Sequence, residues 1–226
     1  MLVVRGKDVA ELDQAAFAAL ARPYGRLVVD VGTGDGRFAY AYARDHPEAF
    51  VVALDPVKEN LRELSHRALR KPSRGGLPNV LFVWGVVERP PPELAGRADE
   101  VHVVLPWGKL ASGLLLAEPE VLDGLVFLAR AGAALDLVLN AEVWEEPVPL
   151  EARDLPRLTV DYVGATLVPR FHARGIEIRQ VGRLAREEIE RLPSTWARRL
   201  SHGREHPNFV HVEAVLRPDG DPAARP

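Results

Sequence analysis

The strongest chemical signal in the sequence is a glycine-rich turn after the apolar run 26–31. Asp30 lies near the end of that run, and Gly32, Gly34 and Gly36 precede a helical pattern. Glycines allow the backbone to approach a ligand closely, and the N-terminus of the following helix presents unpaired amides. A dinucleotide fingerprint needs its third glycine at the position of Arg37, and a strand-end acid would repel a pyrophosphate. The turn therefore favours a cofactor with a cationic end over NAD.

S-Adenosylmethionine meets this requirement, because its ammonium and sulfonium groups are both positively charged. Asp55 ends the second apolar run, where a carboxylate accepts hydrogen bonds from ribose hydroxyls. Glu88 follows the third run and is a candidate contact to adenine. The alternative is a tight turn in which Asp30 and Asp55 cap helices, but strand, glycine turn, helix, strand and terminal Asp occur here together. The predicted cofactor-binding residues are Asp30, Gly32, Thr33, Gly34, Asp55, Pro56, Val87, Glu88, Leu105 and Pro106.

Trp107 follows the fourth apolar run, in the sequence Leu105-Pro-Trp-Gly108. Ligands of open α/β sheets collect at the carboxyl ends of strands, so Trp107 is a candidate for stacking on a substrate. The alternative is a buried aromatic anchor for its loop. Enzymes that methylate exocyclic base amines commonly have Asp or Asn where this chain has Leu105, so that reaction is disfavoured. A ring nitrogen such as adenine N1 has a free lone pair and needs positioning and stacking but no general base.

Two segments concentrate basic residues. The first, over 62–74, is expected to present Arg67, Arg70, Lys71 and Arg74 on one helical face. The second surrounds Trp196 with arginines and histidines over 191–206. Arginines beside an aromatic ring suit RNA, because positive charges hold phosphates while the ring stacks on an unstacked base. The alternative for each segment is a solvated charged surface.

Composition narrows the class of protein. The 226 residues have a formal net charge of −3, which excludes a uniformly basic protein that coats nucleic acid. The absence of cysteine excludes disulfides, Cys-ligated metals and a thiolate nucleophile. His202 and His206 are four residues apart, but Gly203 lies between them and a third ligand is lacking, so no metal site is predicted. With neither a secretion signal nor a membrane span in view, we expect a cytoplasmic protein.

The elements that must position these residues alternate along the chain. From residue 26 onward, short apolar runs alternate with helical patterns, which is typical of βαβ units around a parallel sheet. The predicted strands are 26–31, 50–54, 79–83, 100–105, 133–139, 176–181 and 208–216, and the predicted helices include 37–46, 57–70 and 161–173. We interpret 141–158 and 184–206 as insertions into a single domain over 1–216. Residues 217–226 are rich in Pro and Asp and are predicted to be disordered.

Taken together, the motifs closely resemble the KamB/NpmA family of aminoglycoside-resistance 16S rRNA (adenine-N1)-methyltransferases, over about residues 1–215. The resemblance rests on Asp30-Val-Gly-Thr-Gly-Asp-Gly36, Asp55-Pro-Val-Lys-Glu-Asn60, Lys71-Pro-Ser-Arg-Gly-Gly-Leu-Pro-Asn79, Pro106-Trp-Gly108 and Ser194-Thr-Trp-Ala-Arg-Arg-Leu200. It implies a class I, Rossmann-like methyltransferase fold: α/β, with seven mostly parallel strands, the last antiparallel, and an N-terminal extension. It also implies that S-adenosylmethionine is used to methylate N1 of adenine 1408 in the decoding site of the assembled 30S subunit.

The resemblance further implies roles for individual residues. Trp107 and Trp196 would sandwich the flipped adenine, and Ser194 would steady the loop or the base. The predicted rRNA-binding residues are Arg67, Arg70, Lys71, Arg74, Arg198, Arg199 and Arg204. The chain departs from the family at His206, where relatives can carry a functional arginine; Arg204 could replace it. Two alternatives remain, a small-molecule methyltransferase and a weakly active relative that binds the ribosome. We expect a monomer, since the basic surfaces must reach a large RNA.

Overall fold

The computed structural model describes residues 1–141, 154–192 and 208–217. The strands are β1 (Leu2–Arg5), β2 (Asp8–Glu11), β3 (Arg26–Val31), β4 (Ala49–Asp55), β5 (Val80–Trp84), β6 (Ala98–Val104), β7 (Ala129–Asn140), β8 (Ile176–Arg183) and β9 (Phe209–Leu216). The helices are α1 (Gln14–Ala21), α2 (Arg37–Asp45), α3 (Lys58–Ala68), α4 (Gly108–Leu116), α5 (Pro119–Leu128), α6 (Val160–Tyr162), α7 (Val168–His172) and α8 (Arg186–Arg191). A π-helical turn over Val163–Leu167 joins α6 to α7.

All described strands belong to one sheet, in the order β2-β1-β5-β4-β3-β6-β7-β9-β8. Strands β5, β4, β3, β6 and β7 are mutually parallel, and β9 runs antiparallel to both β7 and β8. Strands β3 to β9 therefore form the expected seven-stranded sheet with its last strand antiparallel, which confirms the predicted fold class. The continuous apolar runs arise because helices cover both faces of a parallel sheet; all seven residues of β4 are buried.

The core has two layers, one on each face of the sheet. On one face, β3 packs through Val29 and Val31 in a cluster that includes Leu122 and Leu125 of α5. On the other face, the alternate residues of the central strands pack against α2 and α3, whose buried contacts are Ala39, Ala43, Leu61 and Leu64. The α2 helix starts directly after the glycine-rich turn, so the packing of both layers fixes the position of that turn.

The N-terminal extension is a β-hairpin that the sequence patterns did not predict. Its first strand pairs antiparallel with β5, where Leu2 faces Trp84 and Val3 faces Val83. The second strand forms an edge of the sheet, and all four of its residues are exposed. The hairpin thus adds two strands beyond the seven-stranded core, and β1 packs against α3.

Several predicted boundaries are corrected. The helix expected over 57–70 ends at Ala68, so Arg70, Lys71 and Arg74 cannot share a helical face with Arg67. Pro72 begins a short 3-10 turn instead, because proline lacks the N–H that a continuing helix would need. Two helices, α4 and α5, connect β6 to β7.

The single-domain boundary and the two insertions stay predictions. Most of 141–158 and 184–206, and all but the first residue of the predicted tail, lie outside the described residues. Within 184–206 the structure describes α8, which contributes buried Ile189 to a cluster with Leu105 and Phe209. No described helix has the length and apolar character that a membrane crossing requires.

Candidate cofactor and substrate site

The carboxyl ends of β3, β4, β5 and β6 meet at a cleft of about 760 Å³. Its lining includes nine of the ten predicted cofactor-binding residues: Asp30, Gly32, Thr33, Gly34, Asp55, Pro56, Val87, Glu88 and Leu105. Pro106 does not line the cleft, although both of its neighbours do. The predicted residues come together because successive parallel strands all end at this edge of the sheet.

The glycine turn is held in place by backbone amides that donate hydrogen bonds to β4. The Gly32 amide donates to the Leu54 carbonyl at 2.8 Å, and the Gly34 amide donates to Asp55 Oδ2 at 2.8 Å. Gly32 has a φ of +68°, and a Cβ there would lie 2.5 Å from Cδ2 of Leu110. A side chain at position 32 would therefore be strained and would displace the residue that closes this side of the cleft.

Asp30 places a buried carboxyl group beside the turn. Asp30 as a whole is 1% exposed, and the Thr33 hydroxyl donates a hydrogen bond to its Oδ2. Burial raises the pKa of Asp30 from 3.8 to about 6, against the opposing effects of the Thr33 hydrogen bond and the charge of His102. A buried carboxylate without a direct cationic partner is costly, so a bound cation would be stabilised here. Asp30 is thus suited to the ammonium end of S-adenosylmethionine.

Asp55 has a different environment, in which the backbone holds both carboxylate oxygens. Oδ2 accepts from Gly34 N and Oδ1 accepts from Val57 N, each at 2.8 Å. Burial still raises the pKa of Asp55, although both amides favour its ionised form. Because each oxygen has a second lone pair and Asp55 lines the cleft, a ribose diol could donate to this carboxylate. The two carboxylates of the cleft therefore fit S-adenosylmethionine at two separate points.

Side-chain contacts join the strand ends beside Asp55. The Trp84 indole donates to the Pro56 carbonyl at 2.9 Å, and the Lys58 ammonium lies 4.5 Å from the centre of the Trp84 ring. These contacts tie the end of β4 to the end of β5 and the start of α3. Sequence reasoning missed them, since Trp84 lies inside an apolar run with no distinguishing neighbour.

The loop after β6 presents Trp107 to solvent. Leu105 is buried with a φ of +52°, an uncommon conformation for a residue with a Cβ, and its amide donates to the Val138 carbonyl at 2.7 Å. Two residues later, Trp107 precedes the first residue of α4 and is 48% exposed while lining the cleft. The structure thus disfavours the alternative in which Trp107 is a buried anchor; Leu105 fills that role.

The remaining predicted site residues divide into two groups. Arg67, Arg70 and Arg74 line a second cleft, whereas Lys71 is exposed outside it. The other predicted residues, Ser194, Trp196, Arg198, Arg199 and Arg204, lie outside the described residues, as does His206. Among the described residues, no group of three His, Cys, Asp or Glu side chains could hold a metal ion.

Sequence reasoning missed several residues that complete the site. Phe38, Val57, Asn60, Gly85 and Lys109 also line the first cleft. Asn60 lies within the motif that begins at Asp55, and Gly85 directly follows β5, so a search one turn beyond each strand end could have found both. His102 gave no such signal, because it lies inside β6 and acts on Asp30 from the neighbouring strand.

Comparison with known proteins agrees with this geometry. Residues 2–216 match the family described as NpmA, 16S rRNA (adenine(1408)-N(1))-methyltransferase. A relative from Streptoalloteichus hindustanus with that enzyme name is 40% identical over 215 residues, covering 95% of this chain and 99% of the relative.

Solved structures are similar over the same length. A mutant 16S rRNA (adenine(1408)-N(1))-methyltransferase from Catenulisporales acidiphilia, solved with cosubstrate SAM, has a TM-score of 0.89 and 41% identity, covering 100% of this chain and 99% of that one. The 16S rRNA methyltransferase KamB also has a TM-score of 0.89, with 38% identity over 96% of this chain and 100% of its own. The chain therefore belongs to the NpmA family of 16S rRNA (adenine(1408)-N(1))-methyltransferases.

Proposed function

We propose that this protein uses S-adenosylmethionine to methylate N1 of adenine 1408 in 16S rRNA, within the assembled 30S subunit in the cytoplasm, and thereby gives resistance to aminoglycosides. The observation that carries the proposal is the convergence of Asp30, Asp55 and Trp107 on one cleft at the carboxyl edge of the sheet. Membership of the NpmA family supports the target.

Two carboxylates hold the cofactor in this proposal. Asp30 binds the ammonium group, which neutralises a buried charge. Asp55 accepts from the ribose hydroxyls, and Glu88, which also lines the cleft, contacts the adenine end. When bound, S-adenosylmethionine supplies an electrophilic methyl group. The polypeptide need only hold adenine N1 in line with that methyl group, because proximity and orientation by themselves lower the barrier to transfer.

Stacking positions the target base. N1 of adenine lies inside a paired or stacked helix, so the nucleotide must be flipped out before reaction. Trp107, half exposed beside the cleft, provides one stacking surface. Trp196 provides the opposite surface, and Ser194 steadies the loop or the base. The methylated base is cationic, so the indole rings favour the charge that develops on it.

Docking on the ribosome uses basic side chains that contact phosphates. The described residues of this surface are Arg67, Arg70, Lys71 and Arg74, and all four are exposed. Arg198, Arg199 and Arg204 also contact phosphates in this proposal. Such contacts fix the register of the enzyme on folded RNA by shape rather than by base sequence.

The test is incubation of purified protein with labelled S-adenosylmethionine and either 30S subunits or free 16S rRNA, followed by primer extension. Methylation at N1 blocks base pairing, so reverse transcription should stop beside adenine 1408 with 30S alone. A stop at another nucleotide would reject the target, and labelling of free 16S rRNA at an equal rate would reject the 30S requirement. Cofactor binding without labelling of either RNA would favour the small-molecule or weakly active alternative.

A further inference from the structure

A second cleft, of about 990 Å³, lies between the N-terminal hairpin and α3. One wall is the turn between β1 and β2, and the other is the exposed side of α3 with the 3-10 turn that follows it. The residues that line the cleft are Arg5, Gly6, Lys7, Asp8, Glu59, Arg62, Glu63, His66, Arg67, Arg70 and Arg74. The cleft therefore combines the predicted basic segment with two cations from an element that sequence reasoning did not identify.

The hairpin turn has a fixed position relative to α3. The buried Gly6 amide donates to Ser65 Oγ at 2.9 Å. Gly6 has a φ of +65°, and a Cβ there would lie 3.3 Å from Cβ of His66, so the turn rests directly on the helix. Arg5 and Lys7 flank this anchored glycine. Their charges consequently belong to the rigid wall of the cleft rather than to a free terminus.

The charges of the cleft are unbalanced. Six Lys and Arg side chains face three carboxylates, and one of those carboxylates, Glu59, pairs with Arg62 at 3.1 Å. Within residues 1–141, 154–192 and 208–217, no acidic group lies within ion-pair distance of Arg5, Lys7, Arg70 or Arg74. A concave surface with several unpaired cations concentrates the positive potential and attracts polyanions.

The second wall is also anchored to the rest of the fold. The Arg67 guanidinium stacks over Tyr40 at 5.2 Å from the ring centre. The Tyr40 hydroxyl donates to the Gly75 carbonyl, and the Gly76 amide donates to the Lys71 carbonyl at 3.1 Å. The turn that bears Arg70 and Arg74 is therefore tied to α2. The backbone that bears the cations is thus anchored on both walls, which is suited to a structured polyanionic ligand.

We propose that the N-terminal hairpin is an rRNA-docking element, in which Arg5 and Lys7 hold the phosphodiester backbone of one RNA strand against Arg70 and Arg74. The inference rests on the proposed function and specifies how that same enzyme contacts its partner. No Phe, Tyr or Trp is among the residues that line the cleft, so it is built to hold phosphates and not to stack bases. Recognition here is by charge and shape.

The test compares two variants that lose the same charge. The first is Arg5→Gln combined with Lys7→Gln. The matched control is Arg174→Gln combined with Arg179→Gln. Arg174 precedes β8 and Arg179 lies within it, at the opposite edge of the sheet, and each arginine pairs with a carboxylate. Affinity for 30S subunits is measured between about 50 and 200 mM KCl, and affinity for S-adenosylmethionine is measured by calorimetry.

The slope of log K against log[KCl] is negative, and each lost phosphate contact should reduce its magnitude by about 0.7 to 0.9. The hairpin variant should therefore have a slope that is shallower than that of the wild type by about 1.4 to 1.8. The control should keep the wild-type slope. Both should bind S-adenosylmethionine normally, which shows that they fold. The charge-retaining variant Arg5→Lys with Lys7→Arg should recover most of the slope.

The outcomes separate this inference from the proposed function. A hairpin variant with the wild-type slope, or a control with an equal loss, overturns the docking role while methylation of 30S by the wild type stands. If the wild type binds 30S but transfers no methyl group, the proposed function fails and the slopes still decide the docking role. If the wild type does not bind 30S, both are overturned.

Discussion

At the scale of single residues, Asp30 shows a conflict between stability and binding. Its folded-state pKa of about 6 exceeds the ordinary 3.8, so the folded protein holds a proton that the unfolded chain releases between those values. The free energy of unfolding of the ligand-free protein therefore falls as pH rises through this window, by about 3 kcal/mol in total. Above pH 6 the molecule carries a buried charge that a cationic ligand would neutralise.

Replacement of Asp30 by asparagine should separate these two effects. The amide keeps the shape of the side chain and removes the charge, so we expect the ligand-free Asp30→Asn protein to gain about 1 to 3 kcal/mol of stability at pH 8. The gain should vanish below pH 4, where the wild-type carboxyl group is protonated. Urea unfolding at both pH values measures this, with Asp45→Asn as an exposed control. A loss of stability at pH 8 would contradict the cost assigned to the buried charge.

The affinity for S-adenosylmethionine should depend on pH through the same group. If the ionised form of Asp30 binds the ammonium, as proposed, affinity should fall about tenfold per pH unit below the pKa of about 6. Calorimetry from pH 5 to pH 8 gives the profile. Asp30→Asn should bind weakly and without this dependence; a flat wild-type profile would refute the assignment.

Trp107 should act mainly on the RNA substrate. Stacking of a base on an aromatic ring contributes about 1 to 3 kcal/mol, so Trp107→Ala should reduce kcat/KM for 30S by roughly 5- to 150-fold. Trp107→Phe retains a ring and should lose less. Transfer of labelled methyl groups measures both, and the affinity of each variant for S-adenosylmethionine serves as the control. Equal activity of the Ala variant and the wild type would exclude stacking by Trp107.

At the scale of elements, a row of titratable side chains extends from Asp30 across four neighbouring strands. Asp30 of β3 faces His102 of β6, and His102 in turn faces Asp136 of β7. His211 of β9 contacts Asp136 through Nε2 at 2.8 Å, and the pKa of His211 is raised mainly by that hydrogen bond. Four adjacent strands thus place alternating acids and histidines on one face of the sheet.

His102 should support ionisation of Asp30. Its ring lies against Phe38 of α2, and Glu100, whose pKa is lowered to about 2 mainly by the hydrogen bond with His102, lies 3.4 Å from Nε2. With Asp136 on the other side, these groups hold the imidazole beside Asp30. His102→Gln should raise the pKa of Asp30 further and shift the acid limb of cofactor binding to higher pH. Calorimetric profiles measure the shift; His172→Gln on α7 is the control, and an unchanged limb would exclude the effect.

Some elements were predictable because burial on two faces leaves a continuous apolar run. The central strands were found for this reason, and the residues that line the first cleft were found because they follow those runs. The hairpin was missed, since β2 is exposed throughout and β1 has four residues. The end of α3 was misplaced because Leu69 and Arg70 are good helix formers, and Pro72 marks the stop only from outside the helix.

At the scale of the whole molecule, the sheet separates two tasks. The carboxyl ends of its central strands form the first cleft, which Trp107 also lines. The hairpin edge, joined to α3, forms the basic cleft. The residue sets that line the two clefts do not overlap. A chain with net charge −3 can therefore present a locally positive surface to RNA without spreading positive charge over its whole surface.

This separation predicts different kinetic effects that multiply. Loss of phosphate contacts in Arg5→Gln with Lys7→Gln should raise KM for 30S and leave kcat unchanged, because docking contributes equally to the ground state and the transition state. Trp107→Phe should chiefly lower kcat, since it perturbs the orientation of the reacting base. The triple variant should show the product of the two losses in kcat/KM, to within about 0.5 kcal/mol, as expected for sites that share no contacts. Steady-state methylation of 30S by the four proteins measures this, and a larger deviation would show that docking at the hairpin and positioning of the base are coupled through the fold.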